Sequence, residues 1–126
     1  MINLLMVVAG GAIGAGGGRY LVGGWVQAQV GAGFPLGTFV VNIVGSLIMG
    51  LAIGVFERGG LSSGANLFLT VGVLGGFTTF SAFSHETLRL MEAGQATTSL
   101  LNAFGQITVG LGAVYLGFLL VRLFAQ

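Results

Sequence analysis

Cysteine is absent from this sequence and charge is scarce, with four Lys or Arg, three Asp or Glu and one histidine in 126 residues. Without cysteine there is neither a disulfide framework nor a thiolate metal site, and the redox compartment cannot be read. A formal net charge of +1 gives no sign of a nucleic-acid partner, and none is expected. No basic stretch precedes the apolar "MINLLMVVAGG" at the amino terminus, and further apolar segments come after it. That stretch therefore reads as a first membrane helix rather than a cleaved signal peptide. Proline occurs once, at Pro35. What is abundant is apolar surface and glycine: mean hydropathy is +1.02 and glycine occurs 25 times. This balance excludes a soluble domain and predicts an all-α integral membrane protein, a single domain over residues 1–126. So short a chain encloses little interior once its lipid-facing surface is covered, so function is expected to need an oligomer.

Four apolar segments are predicted to cross the membrane, at about 3–26, 36–56, 66–90 and 98–124, each near the length that spans a hydrocarbon core of about 30 Å. Pro35, in "VQAQVGAGFPLG", suits the start of the second helix, and "ERGGLSSGAN" and "MEAGQATT" have the content of loops. Gly10, Gly14 and Gly18, then Gly50 and Gly54, then Gly72 and Gly76 recur at helical spacing, which lets backbones approach closely in lipid. The pattern speaks of assembly and not of activity. Four spans put Arg58 and Arg122 on one side of the membrane and Arg19 and Arg89 on the other. With cations balanced, orientation is not specified by charge: either other signals fix one orientation, or the chain inserts both ways up and an antiparallel pair about a two-fold axis in the membrane plane is the expected assembly.

The third segment contains "GGFTTFSAFSHE" over 75–86. Each glycine costs a helix about 1 kcal/mol relative to alanine and β-branched residues come directly after, so a mid-membrane break is expected between Gly75 and Thr79. Broken backbone at that depth is tolerated only where protein or a watery cavity satisfies it, which makes the freed groups candidates for ion binding. Past the break, Phe80 and Phe83 share a helical face, and the hydroxyls of Thr79, Ser81 and Ser84 run beside them. An aromatic ring has a positive edge that can meet an anion without carrying a charge. Asn42, in the second segment, is costly in lipid unless it finds a partner or a water-filled path. Asn102 and Gln106 are four apart on the fourth helix, with Gly110 continuing their face and Thr108 nearby. They form either a pore wall or interhelical contacts. Arg19 is the deepest cation and is placed to draw anions into a vestibule or to snorkel. His85 and Glu86 are expected at the far mouth as a hydrogen-bonded pair or an exposed end, not a metal site.

At these residues the sequence resembles the Fluc (CrcB-type) fluoride channels. The matching pieces are "GGAIGAGGGRY" at 10–20, "FPLGTFVVNIVGS" at 34–46 and "GGFTTFSAFSHE" at 75–86, in that family's order within a four-helix chain. The resemblance implies an antiparallel dual-topology homodimer in the cytoplasmic membrane, with two fluoride pores and a structural sodium ion at the dimer centre. Carried over, carbonyls of Gly75 and Thr78 from both subunits would hold the sodium, Phe80 and Phe83 would be the pore aromatics, and Asn42 the pore amide. The fourth helix departs from the family's ladder of hydroxyls and reads Asn102, Gln106, Gly110 and Val114. Amide N–H groups can donate to an anion in place of those hydroxyls. Fluoride is small and strongly hydrated, so neutral donors and weakly positive ring edges suit a path that must replace its water without trapping it.

Three other classes compete. A small proton-coupled multidrug exporter needs an acid inside a membrane helix, and Glu57, Glu86 and Glu92 all fall near segment ends. An accessory subunit would use the glycines alone, leaving the polar break without a purpose. An intramembrane enzyme would need an enclosed triad, which this chain does not offer.

Overall fold

The computed structural model describes residues 1–124. Four helical spans are long and apolar enough to cross a membrane: Ile2–Val30, Leu36–Glu57, Ser63–Glu92 and Ala96–Phe124. The third is interrupted, so the helices are numbered α1 (Ile2–Val30), α2 (Leu36–Glu57), α3 (63–77), α4 (Phe80–Glu92) and α5 (Ala96–Phe124). No strand occurs among the described residues.

The first span outruns its expected end at 26 because Gln27 ties the helix to the loop beyond it and to the start of α2. Its Oε1 accepts from Gly37 N–H at 3.0 Å, and its Nε2 donates to the carbonyls of Phe34, at 3.0 Å, and Gly31. The helix stops at Gly31, whose φ of 72° is one that only glycine adopts freely. α3 begins earlier than expected because Ser62 caps it, accepting from Ala65 N–H at 3.2 Å.

Glycines bring helix backbones together, α1 against α3, α2 against α5 and, at Gly37 beside the Gly23 carbonyl, α2 against α1. Along α1 and α3, Gly10 lies against Gly72 and the Phe68 carbonyl, Gly14 against the Val73 carbonyl, and Gly76 against the Gly11 carbonyl. Along α2 and α5, Gly50 meets the Val114 carbonyl and Gly117 the Leu47 carbonyl. A methyl group at any of these positions would strike backbone, which cannot move aside as a side chain can. The α1–α3 contacts fall in the stretches wound as π-helix, Ile13–Gly23 and Phe68–Leu74, and in the turns beside them. α4 leans on α5, which leaves most of the apolar surface of the four spans facing outward, toward lipid or a second copy.

The break lies at the expected place, and of its two expected causes only the β-branched residues act. Gly75 and Gly76 are helical, in the short run Gly75–Phe77 that closes α3. The chain opens at Thr78 (φ −81°, ψ 156°) and Thr79 (φ −150°, ψ 114°) instead. Gly76 serves packing on α1, and β-branched threonines, at home in extended geometry, make the interruption. Thr79 then restarts the helix as its N-cap, its hydroxyl accepting from Ala82 N–H at 3.2 Å.

Candidate functional site: a directed polar line beside the break

The two extended residues free backbone groups that α2 answers. Asn42 is half-buried and grips Thr79 with both ends of its amide: Oδ1 accepts from Thr79 N–H at 2.8 Å, and Nδ2 donates to Thr79 C=O at 3.1 Å. A buried amide in lipid thus meets the one kind of partner that also needs it, an interrupted backbone. Asn42 Nδ2 donates in addition to Gln106 Oε1 at 2.6 Å. Gln106 Nε2 donates to Asn102 Oδ1 at 2.9 Å, and Asn102 Nδ2 donates to Thr87 Oγ1 at 2.9 Å. Thr87 passes its hydroxyl hydrogen back to Phe83 C=O at 2.7 Å, and Ser99 donates to Thr87 C=O at 2.8 Å. The result is an unbroken line from the break, across α2 and α5, to the middle of α4.

Between this line and the outer surface lies a cavity of ≈ 310 Å³ lined by Asn42, Ser46, Phe80, Phe83 and Gln106, with Gly110 and Val114 continuing its wall. The Phe80 and Phe83 rings have centroids 5.3 Å apart with planes inclined at 48°. Phe83 is buried at 8% exposure, whereas Phe80 projects outward at 77%. Both rings line the cavity, and the edge of an aromatic ring is where its positive charge lies.

Other expected site residues fall elsewhere. Ser81 is on the opposite side of α4, its hydroxyl 3.2 Å from that of Thr79, and lines an open cleft of ≈ 980 Å³. That cleft also takes Arg19, Trp25, Thr38 and Glu86. Arg19 has no ion-pair partner among the described residues. Glu86 sits more than a turn inside the end of α4, half-buried, and accepts from the Thr38 hydroxyl at 2.6 Å. It is deeper than its sequence position suggests, since α4 runs on to Glu92. Ser84 is exposed and donates to Phe80 C=O at 2.9 Å, so it does not extend the line. Thr108 likewise turns outward and donates to Phe104 C=O at 2.7 Å. Asn102 is completely buried, so within one protomer it backs the cavity wall and does not form it. Thr87 and Ser99 join the line without having been singled out by sequence. Ser99 lies three before Asn102 and seven before Gln106, so helical spacing could have placed it on their face.

At the break, the carbonyls of Gly75 and Thr78 lose their usual helical donors. Thr79 N–H turns to Asn42, and Ala82 N–H turns to the Thr79 hydroxyl. Gly75 is exposed and nothing but the Thr70 carbonyl comes within 4 Å of where its Cβ would be. Hard carbonyl oxygens of this kind suit a hard cation, and the donor set is compatible with the expected sodium.

Residues 5–118 match the family described as CrcB-like protein, Camphor Resistance (CrcB). A Thermus thermophilus protein named fluoride-specific ion channel FluC is 50% identical over 114 residues, covering 90% of this chain and 89% of that protein. Proteins of the same name from a second strain of Thermus thermophilus and from Geobacter metallireducens are 48% and 42% identical, covering 94% and 97% of this chain and 94% and 98% of their own lengths. With the four spans and the polar break already in place, this four-span membrane protein belongs to the CrcB-like family.

Proposed function

We propose that the chain is a passive, fluoride-selective channel that lets fluoride leave the cell across the cytoplasmic membrane, and that it is not an enzyme. The observation that carries the reading is the line of neutral donors and acceptors running from Thr79 through Asn42 and Gln106 beside the Phe80–Phe83 pair. Relatives named for fluoride conduction support it. No carboxylate lies on the line itself, which suits an anion path. Fluoride loses hydration water on entry, and amide N–H groups with ring edges replace it without a fixed charge to hold the ion back. Arg19, in the open cleft, raises local anion concentration ahead of that step.

The working unit in this proposal is an antiparallel dual-topology homodimer with two pores. Phe80 and Gly75 expose to the partner what a monomer would leave in lipid. Carbonyls of Gly75 and Thr78 from each subunit hold a structural sodium, which supplies an electrostatic tie between protomers and takes no part in conduction. Ser81 and Ser84 remain proposed hydroxyls of the path in that dimer.

The deciding experiment is efflux from liposomes containing purified dimer, loaded with fluoride or with chloride and released by a potassium ionophore. Rapid fluoride loss with chloride retained supports the channel, and retention of both would refute it.

A further inference from the structure

The polar line has a direction, and that direction is imposed at both ends by backbone. Phe83 C=O can only accept, so it takes the single hydroxyl hydrogen of Thr87 at 2.7 Å. Thr87 Oγ1 is then left to accept from Asn102, which turns the Asn102 NH2 toward Thr87 and its Oδ1 toward Gln106. Gln106 answers with Nε2 and presents Oε1 to Asn42. At the other end Thr79 N–H can only donate and finds Asn42 Oδ1, while Thr79 C=O can only accept and finds Asn42 Nδ2. Reversing the Gln106 amide would set nitrogen against nitrogen at Asn42 and oxygen against oxygen at Asn102. Asn42 spends both its amide hydrogens within the line. Gln106 gives one to Asn102 and has a second, in a residue that lines the cavity beside Phe80, Phe83 and Ser46.

We infer that Asn102, itself completely buried, is a positioning residue that fixes which end of the Gln106 amide faces the cavity, so that an anion there meets an N–H and not a carbonyl oxygen. Thr87 sets Asn102 in turn, and Ser99, bonded to Thr87 C=O, holds that turn of α4 in place. This inference rests on the channel reading above. It makes Gln106 the donor that discriminates for an anion, with Asn42 and Asn102 aiming it from either side.

The test uses the full-length dimer in liposomes, with Asn102→Leu, Thr87→Val, Gln106→Leu and the double variant Asn102→Leu/Gln106→Leu. Fluoride efflux is expected to fall about tenfold for Asn102→Leu and about threefold for Thr87→Val, the range that one net hydrogen bond covers. Adding Asn102→Leu to Gln106→Leu is expected to change nothing further, because the first acts only through the second. A full additive loss in the double variant, or unchanged efflux in Asn102→Leu, would overturn the inference. Thr87→Val keeps the shape of the side chain and serves if Asn102→Leu does not fold. A second readout is the side-chain amide NMR signal of Gln106, which is expected to shift with sodium fluoride more than with sodium chloride, and to lose that preference in Thr87→Val. A silent Gln106 signal in a protein that conducts fluoride defeats the inference alone. A fluoride-responsive signal in a protein that conducts nothing defeats the channel reading alone.

Discussion

At the scale of single residues, Phe80 and Phe83 are chemically alike and differently placed, one projecting and one buried. Replacing either with isoleucine keeps apolar bulk and removes the ring edge, so fluoride efflux is expected to fall at least about tenfold with the dimer intact by gel filtration. Unchanged efflux in both variants would remove the rings from the path. Asn42→Asp replaces the nitrogen that bonds Thr79 C=O and Gln106 with an acceptor, setting like against like at 3.1 and 2.6 Å and placing negative charge beside the cavity. Efflux is expected to be abolished; normal flux from a folded protein would reduce Asn42 to packing. Most of these residues could be read from sequence, because an amide or a hydroxyl in lipid announces a need for a partner. Which partner it finds could not be read. The pairing of Asn42 with Gln106 and of Asn102 with Thr87 depends on how three helices rotate about their axes, and no spacing along one chain encodes that rotation.

At the scale of elements, sequence located the interruption of the third span and named two agents for it, glycine and β-branched residues, of which only the threonines act. Glycine is a poor helix former in water, but here Gly76 is kept helical by contact with the Gly11 carbonyl, and tertiary packing overrides the local preference. Thr79 holds the restart. Thr79→Val retains the β-branch and loses the cap, which is expected to cost about 1 kcal/mol and to show as faster amide exchange at Ala82. The glycines separate by what they touch. Gly50→Ala would drive a methyl into the Val114 carbonyl and is expected to destabilise by about 1–3 kcal/mol. Gly112→Ala, with nothing within 4 Å, is expected to be neutral or mildly stabilising. Thermal unfolding in detergent compares the two, and equal losses would show that the α2–α5 contact is looser than its geometry.

At the scale of the whole molecule, the two ends of the bundle are balanced. Arg58 and Arg122 meet at one end, where Arg58 donates to the Arg122 carbonyl at 3.1 Å and Arg122 lies 3.6 Å from Glu57. Arg19 and Arg89 belong to the other side of the chain's path. With no end favoured, cysteines placed in the loops around residues 32, 60 and 94 are each expected to react with an impermeant reagent from both faces of the membrane. One-sided labelling would end the dual-topology proposal. Exchange of sodium for a large organic cation is expected to loosen the dimer if the Gly75 and Thr78 carbonyls hold it together, read as dissociation on dilution in detergent. The four spans were legible because their length and hydropathy are properties of the chain alone, whereas the proposed dimer would rest on surfaces that only a second chain completes.

The amide line closes within one protomer, and this bears on how the protein is made. Asn42, Asn102 and Gln106 each find a side-chain or backbone partner within the one subunit, so a single folded copy can reside in the bilayer with most of its amide groups paired. Folding of the subunit therefore does not wait on the proposed pairing. In the proposed dimer, pairing is then a bimolecular event governed by mass action, and the number of working pores is expected to rise with the square of the subunit density when copies are few.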